Sequence, residues 1–166
     1  MLERVITGGQ TGADQAGWRA ARAMGLETGG YMPAGFRTEA GNRPEFAELY
    51  GAKETGTRDY RERTYLNVGK SEAVLWFGAP LSPGGRLTLR LAKEYTGRVI
   101  PARTIVDAIA AREERPPWST ADWLAEHQVQ VLMVAGNRES SSPGIGAWVD
   151  AYLSEVFRII GEEGVG

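Results

Sequence analysis

Short apolar runs along the chain alternate with longer stretches in which apolar positions recur every three to four residues. The first kind suits buried strands and the second amphipathic helices. Residues 4–7 (RVIT) predict a strand, and a helical pattern then runs from Ala13 to Met24, closed by Gly25. Thr11, with Asp14 three positions on, reads as a capping box at the start of that helix. A second short strand is expected at 28–31, ending in a turn at Met32–Pro33. The stretch 34–57 is polar and glycine-rich, mostly loop, with a short helix near 44–50. A helix over 59–68 leads into the apolar run 73–77, AVLWF, and the turn PLSPGG precedes a helix over 86–95. A strand at 99–101 and helical periodicity at 104–114 follow, before Pro116–Pro117 break the chain. Ser119 caps a short helix to His127, and 129–134 is a strongly apolar strand. The last element is an amphipathic helix over 145–160, with Ser142 and Pro143 as its N-cap and first residue. Such alternation predicts an α/β fold, a Rossmann-like three-layer sandwich with a mostly parallel central sheet, in one domain over 1–166.

Composition changes this picture in two places. The formal net charge of -2 gives no global pull toward nucleic acid or an anionic membrane, so neither is an expected partner and any anion site must be local. There are no cysteines, which excludes disulfides, thiolate metal sites and a cysteine nucleophile. The opening residues lack the basic start and long apolar core of a signal peptide, and no run approaches the roughly 18 apolar residues of a membrane span. A cytoplasmic protein is expected. Glycine is unusual: 22 of 166 residues, clustered at 8–12, 29–35, 84–85 and 136–146.

Three of these clusters follow predicted strands and open helices: GGQTGAD, SPGGRLT and AGNRESSSPG. In open parallel sheets, ligands sit beyond the carboxyl ends of the strands, where helix N-termini present free amides and a partial positive charge. Gly8, Gly9, Gly12, Gly84 and Gly85 would let backbone approach an anion. Thr11, Thr88, Ser140 and Ser142 add hydroxyls, and Arg138 adds a guanidinium. Arg63 and Asn67, one helical turn apart, are placed to point together at the crevice. Familiar templates fit poorly, since neither GxxxxGKS nor GxxxxGKT occurs and GGQTGA lacks the GxGxxG spacing. His127 reads as a surface residue, Trp76 as core, and Trp18, Trp123 and Trp148 as inward-facing helix positions. No nucleophile–base pair stands out, so no catalytic residue is assigned.

The chain resembles the molybdenum carrier family, the circularly permuted YpsA-type branch of the SLOG superfamily. The resemblance rests on GGQTGAD (8–14), MPAG (32–35), ET, DY, RT and NV with a serine across 54–71, PGG with Thr88 (83–88), and AG.RES..PGI (135–145). It implies a Rossmann-like fold, homo-oligomers such as dimers or tetramers, and a nucleotide-like or pterin phosphate ligand. Carriers of this family would hold molybdenum cofactor (molybdopterin) and shield it until delivery. Gln10, Asp14, Pro33, Gly35, Ser82, Gly136, Asn137 and Glu139, on or beside these segments, are further candidate ligand residues. Where the family pattern often carries a basic residue, this chain has Gln15, Ala34 and Ser141, which would weaken attraction to a dianionic phosphate. A LOG-like hydrolase of nucleoside monophosphates is the alternative, but Leu91 stands where those enzymes carry their catalytic glutamate. Asp14 and Glu139 are the carboxylates left to substitute for it. A nucleotide-sensing module is the third reading.

Overall fold

The sheet is built from strands whose two faces are both covered. In the computed structural model, which describes residues 1–95 and 115–163, β1 (Arg4–Ile6) leads into α1 (Ala13–Ala23) and β2 (Glu27–Met32). A small antiparallel hairpin, β3 (Arg37–Thr38) and β4 (Gly41–Asn42), precedes α2 (Phe46–Tyr50) and β5 (Ala52–Glu54). Then come α3 (Tyr60–Gly69), β6 (Ala73–Phe77), α4 (Pro83–Tyr95), α5 (Pro117–Glu126), β7 (Val131–Gly136) and α6 (Ile145–Glu163). The five-stranded sheet is parallel throughout, in the order β5-β2-β1-β7-β6. From β1 the chain moves out to one edge, crosses to β6 at the other, and returns to β7 beside β1. That reversal sets the crevice at the carboxyl ends of β1, β6 and β7.

Alternation along the strands divides the core. Ala73, Leu75 and Phe77 of β6 pack with Val5, Leu132 and Val134 against α1, α5 and α6. Val74 and Trp76 pack with Ile6, Met133 and Ala135 against Val68 of α3 and Leu91 and Ala92 of α4. Burial on both sides explains why these strands read as unbroken apolar runs. At the β5 edge, Trp18 stacks on Tyr50, with ring centroids 4.7 Å apart, and its Nε1–H donates to the Gly29 carbonyl at 2.7 Å. The result is a three-layer α/β sandwich.

Several local expectations are corrected. Gly12, not Thr11, is the N-cap of α1, and it makes no side-chain cap bond. β5, missed from sequence, is a short polar edge strand paired only with β2. α4 begins at Pro83, so the PGG read as a turn is the first turn of a helix. α5 is entered through Pro116, and Ser119 lies within it. α6 begins at Ile145, beyond Ser142 and Pro143. The strand expected at 99–101 and the helix expected at 104–114 lie outside the described residues. Among the described residues, no helix is long and apolar enough to cross a membrane.

Candidate functional site

The first and third glycine-rich loops meet, and the PGG end of α4 lines the same cavity as residues of both. A Cβ on Gly12, whose φ is 80°, would stand 2.5 Å from the Asn137 carbonyl oxygen, so the first and third loops are in backbone contact there. Ala13 N–H donates to that same carbonyl at 3.3 Å, and Glu139 N–H donates to Thr11 Oγ1 at 3.2 Å. Asn137 N–H in turn donates to the Phe77 carbonyl at 2.9 Å, tying the third loop to the end of β6.

Most of the donors gathered there are already satisfied by carboxylates of the chain itself. Asp14, 3% exposed, accepts from Gln10 N–H at 3.2 Å and pairs with Arg63 Nη1 at 3.2 Å. Arg63 reaches it from α3 because Gly8 has no side chain; a Cβ there would lie 1.2 Å from Nη1. Burial pushes the Asp14 carboxyl above its ordinary range, and Arg63 with the Gln10 and Gly8 amides only partly offsets this. Glu39, in the β3–β4 turn, accepts from the Thr11 and Ser140 hydroxyls and from Ser140 N–H at 3.2 Å, with Arg138 Nη1 3.9 Å away. Burial pushes the Glu39 carboxyl up, but bonds from Ser140 and Thr11, with Arg138 nearby, outweigh it and hold the group below the usual range. Glu139 closes the N-terminus of α6, accepting from Gly144 N–H at 2.5 Å and Gly146 N–H at 3.0 Å.

The N-terminus of α4 is different. Ser82 Oγ accepts from Gly85 N–H at 3.0 Å, and Pro83 has no amide hydrogen. Gly84 N–H has no partner among the described residues, its side-chain direction meets open space, and the first turn holds no acidic residue. This helix end forms one wall of a cavity of about 740 Å³. Trp76, Leu87, Met133 and Ala135 supply apolar wall. Four arginines (Arg61, Arg63, Arg90 and Arg138) face two aspartates, Asp14 and Asp59. The Arg63 and Arg138 guanidiniums lie 5.5 and 5.9 Å from the Tyr60 ring centre, so the ring and the cations form one surface.

The model of the circularly permutated YpsA SLOG family matches residues 5–157 of this chain. The chain belongs to that family. A crystal structure of a "putative molybdenum carrier protein" from Syntrophus aciditrophicus SB is 32% identical to it, with 94% of each chain covered and a TM-score of 0.76. No curated protein matches.

In this SLOG-family chain the residues singled out from sequence fall into two groups. Gln10, Asp14, Arg63, Ser82, Gly84, Gly85, Thr88, Gly136, Asn137, Arg138 and Ser142 line the cavity. Gly8, Gly9, Thr11, Gly12, Pro33, Gly35, Asn67, Glu139 and Ser140 do not, and most serve the protein's own packing. Gly9 lies against Met32, and Gly35 N–H donates to the Glu54 carboxylate at 2.6 Å. Asn67 does not join Arg63 at the crevice. It is fully buried, accepting from Tyr31 N–H at 2.8 Å while its amide donates to the Tyr31 and Thr7 carbonyls, and so it latches β2 to the end of β1. Thr88 lines the cavity, but its hydroxyl donates back to the Gly84 carbonyl at 2.9 Å. Leu91 is core, 2% exposed. Of the positions lacking a basic residue, Gln15 donates its amide to the Gly9 carbonyl at 3.1 Å, and Ser141 lines the cavity. The cationic character comes instead from α3, α4 and Arg138. Sequence reasoning did not assign Glu39, Tyr60, Arg61 or Arg90 to the site; the DY pair at 59–60, part of the family resemblance, was the signal available for Tyr60.

Proposed function

We propose that this chain is a carrier for a small ligand bearing one phosphate, of the molybdenum-cofactor or nucleotide-like class. The observation that carries this reading is the α4 N-terminus, an open amide at a helix end bordering a cavity with twice as many guanidiniums as carboxylates. Helix dipole, free N–H and arginines favour the same charge at the same place. The other two glycine-rich loops are closed to a second phosphate by Asp14, Glu39 and Glu139, and this favours a single one. The volume falls within the roughly 300–1,000 Å³ of small-molecule sites. The Syntrophus relative's description as a carrier supports the cargo's class. The sequence has no cysteine, and among the described residues no three His, Asp or Glu side chains group as metal ligands. Trp76 borders the cavity and reports on it. Titration of the purified protein with molybdenum cofactor, followed by tryptophan fluorescence and calorimetry, is expected to saturate at one ligand per chain. Absence of saturable binding contradicts the carrier reading.

A further inference from the structure

Glu39 bonds the first and third loops from outside both of them. Its carboxylate, in the β3–β4 turn, accepts from the Thr11 and Ser140 hydroxyls and from Ser140 N–H at 3.2 Å, with Arg138 Nη1 3.9 Å away. These donors are positioned without it. Thr11 Oγ1 accepts from Glu139 N–H at 3.2 Å, which leaves its single hydrogen for the Glu39 carboxylate. Glu139 also accepts from Gly144 N–H at 2.5 Å and Gly146 N–H at 3.0 Å, and so braces the turn that carries Ser140. Gly12 and Ala13 hold the first loop against the Asn137 carbonyl. Two hydroxyls, an amide and a guanidinium converging on one carboxylate are the donor set of an oxyanion receptor. Solvent reaches it, since the Arg138 and Glu39 side chains are 47% and 19% exposed.

Asp14 and Glu139 each belong to the loop they satisfy, whereas Glu39 is carried in on a separate hairpin with two-residue strands. Gln10 Oε1 fastens that hairpin to the first loop, accepting from Glu39 N–H at 2.9 Å. A carboxylate tethered in this way competes with free anions at an effective concentration of roughly millimolar or more. We propose that Thr11, Ser140 and Arg138 form a second oxyanion receptor, with Glu39 as its built-in occupant and the residue that shuts out a second phosphate. The limit to one phosphate rests on the reading of the α4 end as a phosphate site; the receptor itself does not.

The test titrates inorganic phosphate, at fixed ionic strength, into the wild-type protein and Glu39→Ala, following backbone amides by NMR. In Glu39→Ala the Ser140 amide is expected to shift saturably, with an affinity at least about tenfold above that of wild type at this amide, the scale of one charge-assisted hydrogen bond. Gly84 is expected to shift alike in both proteins. A Ser140 amide that responds no more strongly in folded Glu39→Ala than in wild type overturns the inference, while movement at Gly84 keeps the α4 reading. Movement of Ser140 in the variant with Gly84 silent in both proteins supports the receptor and removes the α4 site instead. Ser140→Ala added to Glu39→Ala takes away one hydroxyl donor and is expected to weaken the new site about tenfold. An unchanged affinity puts the phosphate elsewhere and also overturns the inference. Should Glu39→Ala not fold, Glu39→Gln keeps the side chain's size but bonds the donors more weakly, and the same Ser140 shift is expected at higher phosphate concentration; its absence overturns the inference as well.

Discussion

Replacing Arg63 with methionine leaves the Asp14 carboxylate without its counter-charge in a nearly solvent-free place. Arg63 and Asp14 side chains are 15% and 4% exposed, so solvent screens the pair little. Removing one partner of such a pair typically costs about 3–5 kcal/mol. Asp14 keeps the Gln10 amide bond, which places Arg63→Met near the lower end, about 3 kcal/mol at neutral pH. The pH dependence gives the sharper signature. A carboxyl whose folded pKa lies above its unfolded value favours the native state below the unfolded value, and that contribution is lost as pH rises through the folded one. Burial already raises Asp14, and Arg63 is the largest of the effects opposing it. Without Arg63 the carboxyl rises further, so the variant's deficit must be smaller at pH 4, near the ordinary carboxyl range, than at pH 9. Urea unfolding at both pH values, followed by circular dichroism, measures this. Asp14→Asn added to Arg63→Met removes the unpaired charge and is expected to restore most of the loss. An equal loss at the two pH values, or a double variant no more stable than Arg63→Met, refutes the electrostatic reasoning.

Two further outcomes follow from the loop contacts. Glu39→Gln weakens bonds to Thr11 and Ser140, and about 1–2 kcal/mol of stability is expected to go at neutral pH. Because the Glu39 carboxyl is held below its ordinary value, wild-type and variant stabilities should converge as pH falls through the folded pKa, which thermal melts across pH will show. Gly12→Ala places a side chain at φ 80° and against the Asn137 carbonyl, with an expected cost of about 2–4 kcal/mol in chemical denaturation; an unchanged midpoint would mean the first and third loops are not in contact.

Much of the fold was legible because buried parallel strands advertise themselves. AVLWF at β6 is apolar at every position, since alternate side chains enter two different cores. β5 was not legible: AKE is polar, and an edge strand with one neighbour needs little apolar surface. PGG was misread because glycine is a poor helix former, yet Pro83 at the first position and Ser82 as cap start α4 there. At the site, glycine clusters marked the loops correctly in space but said nothing of what satisfies them. Glu39 is 28 residues from Thr11 and 101 from Ser140, and no local pattern links them. Helical spacing placed Arg63 and Asn67 on one face, but the crossing of α3 over the sheet sends one to Asp14 and the other to the Tyr31 backbone.

The most direct test of the open helix end is an amide-resolved NMR titration with inorganic phosphate. The largest shifts are expected at Gly84 and Gly85, while the amides of Gly12, Gly144 and Gly146 barely move. Shifts concentrated at Gly8–Gly12 or Gly144–Gly146 would show that the chain's own carboxylates do not hold those loops, and would move the phosphate site away from α4.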